Sequence, residues 1–277
     1  MRGERMKGIV YDLSYADYDR IRAVRWTALK AMDVSPKHYR YMMTHPDHDT
    51  PAKALGRATH TCLLEPESFE REYVAWTGEG TRASKAYKEF AAVAGLDREI
   101  LMPDEYAECV AMATALRRNP DTRPYTRHGR SEVTIVWRDK ATGIRCKARI
   151  DRLSTKFVVN VKTAASIDAR KFGRQAADLG YHGGLAFTYG GLAALGWPVE
   201  TVALVVVDKS DEHDCGVFEL SEDELFAGEK MVGRLLGKLA TCRATRRYPG
   251  RFQGPQTLQL PGWAYGEDYE ISSAEVL

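Results

Sequence analysis

Asp151, Asn160 and Lys162 are the residues whose types and spacing come closest to a reacting centre. In "FVVNVKTAAS" (157–166), Phe157, Val158, Val159 and Val161 ask for an apolar interior. The alternation of an extended chain then puts Asn160 and Lys162 on one face. An acid and a lysine two apart on a strand, preceded by an aspartate, suit metal-dependent phosphodiester cleavage. Carboxylates hold Mg²⁺, and the lysine orients the attacking water or stabilises charge. Glu132 begins an earlier alternating run, and neighbouring strands would bring it to the same place. Here the acidic position is itself an amide, Asn160. Alone, the pattern is short and weakly specific, because a strand end with a solvated aspartate and a snorkelling lysine has the same residues.

The elements that must position these residues are legible along the chain. Up to residue 130 the pattern is helical. In "WTALKAMDVSPKHYRYMM", Thr27 is placed to cap one helix and Ser35-Pro36 to start the next. "PAKALGRATHTCLLEP" sets Ala54, Leu55, Ala58, Cys62 and Leu63 at helical spacing, and "SKAYKEFAAVAG" and "PDEYAECVAMATALRRNP" follow. From residue 131, "SEVTIVWRD", the turn "KATG" and "IRCKARIDRLS" predict a hairpin. "KFVVNVKTA" is a short central strand, and a long helix is expected from Asp168 to Leu195. "TVALVVVDKS" is another buried strand, "CGVFELS" an edge strand, and "EDELFAGEKMVGRLLGKLATCRA" a final helix. The expected architecture is an α/β core with a mixed central sheet and an N-terminal helical region. It forms one domain over 1–277, with a helical wrap (1–130), a sheet core (131–245) and a C-terminal extension (246–277).

With 44% apolar and 28% charged residues, the 277-residue chain has the composition of a globular protein. Its net charge of +2 hides segregation. Basic clusters fall at Arg117, Arg118, Arg123, Arg127 and Arg130, and at Arg145, Lys147, Arg149 and Arg152. Others fall at Arg170, Lys171 and Arg174, and at Arg243, Arg246, Arg247 and Arg251. Acidic residues gather around 211–229 and at the C-terminus. Such a distribution suits a face that meets a polyanion, and solvated helix faces produce similar runs. Five cysteines without a CxxC pair argue for free thiols, against disulfides or a zinc site. No signal peptide or membrane-spanning run is visible, so a cytoplasmic location is expected.

"LGRATHTCLLEPESFEREYV" (55–74), "TGIRCKARIDRL" (142–153), "VVNVKTAASI" (158–167) and "GYHGGLAFTYGGL" (180–192) occur in the order seen in RecE-type exonucleases. The chain resembles the exonuclease VIII family of the PD-(D/E)xK nuclease superfamily. The resemblance runs from "GIVYDLSYADYDRIRAVRWTALKAMDVSPKHY" to "TLQLPGWAYGEDY". It implies a restriction-endonuclease-like core that degrades one strand of double-stranded DNA ends, 5′ to 3′, with Mg²⁺ (Mn²⁺ substituting). It further implies a ring-shaped homo-oligomer and a RecT-like single-strand annealing partner in recombination. By the same resemblance Lys162 is the catalytic lysine, followed by Thr163, and Asp151 and position 160 bind metal. His60 approaches the metal, and Glu132 is an acid at the site's edge. Arg22 or Arg25 is the candidate grip on a 5′-phosphate, with Lys147, Arg149 and Tyr181 as further DNA contacts.

Three positions depart from the family. Residue 160 is Asn where Asp is expected, and Gly184 and Thr188 stand where a glutamine and a tyrosine are expected. Asp→Asn keeps shape but removes the charge that a hard cation needs. Asn160 is either an isosteric substitution that traps DNA uncut or part of a natural loss of catalysis. The alternative function is accordingly a silent DNA-end-binding protein on the same fold.

Overall fold

The computed structural model describes residues 7–45, 50–252 and 254–265. Residues 266–277, the end of the expected C-terminal extension and of its acidic cluster, lie outside them. In chain order the elements are β1 (Gly8–Val10), α1 (Tyr15–Arg20), α2 (Trp26–Leu29), α3 (Ala31–Val34), α4 (Pro36–Met42), α5 (Pro51–Leu64) and α6 (Pro66–Glu72). Next come β2 (Tyr73–Ala75), α7 (Lys85–Ala94), β3 (Glu99–Leu101), α8 (Pro103–Arg118) and α9 (Arg123–Arg127). The core follows with β4 (Arg130–Arg138), β5 (Arg145–Leu153), β6 (Phe157–Ala164), α10 (Ala169–Leu179), α11 (Tyr181–Ala194), β7 (Thr201–Asp208), β8 (Cys215–Glu219) and α12 (Glu222–Thr245).

A mixed sheet in the order β1-β4-β5-β6-β7-β8 carries the fold. β6 and β7 are parallel from Phe157↔Thr201 to Ala164↔Asp208, while the other neighbours run antiparallel. Both faces of β6 are covered, which is why it reads as a nearly continuous apolar run. Val159 and Val161 pack with Ala203, Val205 and Val207 against α5 and α8 (Ala58, Cys62, Met112, Leu116). Val158 and Ala164 pack with Leu204 and Val206 against Phe172, Leu185, Phe187, Leu235 and Leu239 of α10, α11 and α12. Each of the valine, leucine, phenylalanine and methionine side chains among them, fully buried, contributes about 1.5–3 kcal/mol. Among the described residues, no helix is long and apolar enough to cross a membrane.

Several expectations need correction. Thr27 lies inside α2, whose N-cap is Arg25 without a side-chain cap bond. Ser35 does cap α4, with Pro36 at its first position and Oγ accepting from the His38 N–H at 3.0 Å. The long helix is two helices: Gly180 adopts a left-handed φ of 66° and separates α10 from α11. Only glycine takes that conformation without strain. β1, which joins the sheet edge at Ile9↔Ile135, and the parallel pair β2-β3 were not expected.

Lys147 is corrected as well. Its ammonium is buried, donates to the backbone carbonyls of Tyr18 (2.8 Å) and Asp19 (3.0 Å), and sits 4.4 Å from the Tyr18 ring centroid. These are last-turn carbonyls of α1, which need donors from outside the helix. Lys147 therefore fastens α1 to β5 and is turned away from any external phosphate.

Burial pushes the Lys147 ammonium down from 10.5 to about 8, so the folded state holds its proton less tightly than the unfolded chain. The unfolded state then binds more protons between those values, and the stability that Lys147 contributes rises with pH across that window. The melting-temperature difference between the native protein and Lys147→Met should widen in favour of the native protein from pH 8 upward. A difference flat in pH would contradict the assignment.

Gly228 of α12 touches α11: an added Cβ would lie 2.6 Å from the His182 carbonyl oxygen and 2.7 Å from the Ala186 Cβ. Gly233 on the same helix is exposed, and its Cβ would meet nothing within 4 Å. Gly228→Ala should destabilise by about 1–3 kcal/mol through overpacking. Gly233→Ala should stabilise by about 1 kcal/mol through helix propensity. Denaturant melts of the two variants read both signs at once.

Candidate active site

The site lies where β5 and β6 part. Their ladder has only Arg152↔Val159 and Leu153↔Val158, while β6 stays paired with β7 to its end. Beyond Val159, β6 has no strand on its β5 side, and Val161 turns both backbone groups to side chains there. Its N–H donates to Asp151 Oδ2 at 2.7 Å. Its carbonyl accepts from His60 Nε2 at 2.7 Å and from Lys162 Nζ at 2.8 Å.

The functional side chains come from α5, β4, β5 and β6. α5 runs beside β6, where Gly56 faces Thr163: an added Cβ there would lie 3.6 Å from Thr163 Oγ1, an ordinary contact. One turn later His60 reaches Val161 and comes within 3.5 Å of Asp151 Oδ2. Because a carbonyl only accepts, Nε2 carries the ring proton in this arrangement. His60 enters as a donor, and metal ligation through Nε2 would require the proton to move to Nδ1. Asp151, on β5, is buried. Opposite it on β4, between Ser131↔Arg152 and Val133↔Ile150, Glu132 drops out of the ladder with a left-handed φ of 54°. That backbone costs about 1–3 kcal/mol and concentrates at functional sites.

Ligand atoms of His60, Glu132 and Asp151 all lie within 4.8 Å of one another. Burial, and next the Asp151 charge, push the Glu132 carboxyl above its ordinary pKa, while Arg149 opposes both. Asn160 is half-buried, and its Oδ1 is buried without a hydrogen-bond partner. A lone buried acceptor costs about 1–3 kcal/mol. The Glu132 and Asp151 carboxylates beside the Val161 carbonyl form an oxygen-rich donor set that suits a hard divalent cation, and Asn160 precedes Val161 on the same strand.

The remaining candidates are distributed differently. Tyr181 is half-buried, with the Lys162 ammonium 5.6 Å from its ring centroid, so it covers the lysine. Arg149 is turned inward: it pairs with Glu132 and donates to the Leu13 carbonyl at 2.8 Å, which corrects its expected role as a DNA contact. Arg25 pairs with Asp19 at 2.9 Å, and Arg22 is exposed. Their segment bridges to Cys146 through Val24. Cys146 lies five residues before Asp151, roughly 17 Å along an extended strand. The structure therefore does not bring Arg22 and Arg25 to the acidic cluster.

Other basic residues also turn inward, since Arg117 donates to the Cys62 and Leu63 carbonyls and Arg152 to Ser131 and Thr126. Arg170, Lys171 and Arg174 of α10 are exposed just beyond β6. Sequence reasoning missed Val161, whose role comes from its backbone and leaves no mark on residue type.

The helix departures have a packing reason. An added Cβ at Gly183 would lie 2.4 Å from the Trp26 ring, and one at Gly184 would lie 2.9 Å from it. Trp26 fills the space that a glutamine at 184 would need. Thr188 is buried and donates back to the Gly184 carbonyl at 3.0 Å, inside its own helix.

Residues 26–259 match the family described as a PDDEXK-like domain of unknown function (DUF3799). The crystal structure of a "Putative exonuclease" from Eubacterium rectale is similar, with a TM-score of 0.63 at 12% identity, covering 91% of this chain and 96% of that one. A structure described as SSO0001 aligns over 82% of this chain and 88% of its own at 15% identity, with a TM-score of 0.30. No curated protein matches the sequence. The six-stranded mixed sheet, the split between β5 and β6 and the family match over 26–259 agree: this chain belongs to the PDDEXK-like domain family of unknown function.

Proposed function

We propose that this chain is a divalent-metal-dependent deoxyribonuclease of the RecE type, acting 5′ to 3′ on double-stranded DNA ends and impaired by Asn160. The observation that carries the reading is the convergence of His60, Glu132 and Asp151 on one point, beside the carbonyl that Lys162 also touches. Nucleases of the PD-(D/E)xK type use divalent metals, and Asp151, Glu132, the Val161 carbonyl and Asn160 Oδ1 would hold one here. When bound, Mg²⁺ or Mn²⁺ polarises the phosphoryl oxygen and neutralises developing charge.

The chain's own groups do the rest. The Val161 N–H fixes the orientation of the Asp151 carboxylate. Lys162, covered by Tyr181, supplies a positive charge to the scissile phosphate. The exposed face of α10 (Arg170, Lys171, Arg174) supports phosphate contact next to the site, and Arg22 supports contact farther along the duplex. Such contacts make affinity fall steeply with salt, because condensed counterions are released. The resulting 3′ single-stranded tails suit a RecT-like annealing partner, and a ring-shaped homo-oligomer would retain the duplex. The second reading, a silent end-binding protein, is favoured by Asn160 alone, which lacks the charge that a cation ligand normally brings.

A 5′-labelled duplex incubated with Mg²⁺ or Mn²⁺ tests both readings. The native chain should degrade it slowly, and Asn160→Asp should be faster by at least about 100-fold, the scale of one electrostatic group at a reacting centre. Lys162→Ala should abolish activity in both backgrounds. End binding without cleavage by either protein would favour the silent reading.

A further inference from the structure

Arg149 lies inside the acidic site, and no step of the proposed chemistry uses it. Its side chain is 14% exposed and its partner Glu132 is 19% exposed, so the pair is largely withdrawn from water. The guanidinium also donates to the Leu13 carbonyl at 2.8 Å and lies 5.9 Å from the Tyr15 ring centroid. A second carboxylate, Glu65 at the C-cap of α5, stands 4.0 Å from the same guanidinium and is 41% exposed. Within the site, the Arg149 guanidinium already pairs with Glu132, and the Lys162 ammonium sits on the Val161 carbonyl next to Asp151. Arg149 therefore cancels part of the negative charge that would draw in a divalent cation. An aspartate at 160 would supply that charge, and this chain has none there.

We propose that Arg149 is the site's internal counter-ion, and that a divalent cation reaches Glu132 only by displacing the guanidinium onto Glu65. The proposal rests on the nuclease reading and concerns how that site loads. A buried guanidinium left without a partner is strongly unfavourable. Glu65 is already within reach, so the exchange keeps Arg149 paired while freeing Glu132. Arg149 is thus a positioning residue: it sets the affinity for metal through Glu132 and touches neither metal nor substrate.

The test is calorimetric titration of Mn²⁺ into the full chain and four variants, each first checked for folding by circular dichroism and melting. Arg149→Gln should bind Mn²⁺ about tenfold tighter, the equivalent of one charge-assisted hydrogen bond no longer in competition. Glu65→Gln, on an exposed residue, should bind several-fold more weakly. Adding Glu65→Gln to Arg149→Gln should then change nothing further. Equal or weaker binding by folded Arg149→Gln overturns the proposal. If that variant does not fold, unchanged affinity in Glu65→Gln overturns it alone. Asn160→Asp separates the two levels of failure. If Asn160→Asp binds Mn²⁺ and the Arg149 and Glu65 variants match the native chain, only the exchange is wrong. If no variant binds, the nuclease reading falls with it.

Discussion

The structure turns on the parting of β5 from β6 after Arg152↔Val159. A buried backbone N–H and carbonyl cannot be left unpaired without cost, and at Val161 no neighbouring strand supplies their partners. Side chains do so instead. Asp151 accepts from the N–H, and His60 and Lys162 donate to the carbonyl. One structural requirement thereby draws an acid from β5, a histidine from α5 and a lysine from β6 to a single point. The helices serve that arrangement: α5 lies against β6 and carries His60, and Tyr181, opening α11, covers the lysine.

Charge balance decides what such a point can do. With an amide at 160, the site has one potential carboxylate fewer, and Glu132 is already engaged by Arg149. The loss of charge at 160 and the presence of Arg149 act in the same direction, against occupancy by a divalent cation. The replacement at 184 is of another kind. Trp26 occupies the space beside α11 that Gly183 and Gly184 leave open, so that change belongs to a repacked interface.

Patterns that depend on local periodicity were legible in the sequence. The hairpin β4-β5, the buried strands β6 and β7, the edge strand β8 and the helices α5, α7, α8 and α12 all follow from alternation, helical spacing and caps. The proximity of Asp151 and Glu132 follows from strand register, whereas His60 was singled out only through the family resemblance. What escaped depends on tertiary context. β1 has three residues and no period to read. The helix break at Gly180 is set by one left-handed φ between two apolar segments. Lys147 and Arg149 look like members of a basic stripe, yet alternation along β5 and the docking of residues 13–19 turn both inward. The ligand role of a backbone carbonyl at Val161 has no residue type to announce it.

A divalent cation is proposed to bind between Asp151, Glu132 and the Val161 carbonyl, with residue 160 completing its ligands. Crystals of Asn160→Asp grown with Mn²⁺ and measured at a wavelength where manganese scatters anomalously test it directly. The expected result is an anomalous peak roughly 2.1 Å from a carboxylate oxygen of Asp151, with the introduced carboxylate at position 160 and the Val161 carbonyl as further ligands. A peak elsewhere, or none at this point in a folded protein soaked to saturation, would contradict it.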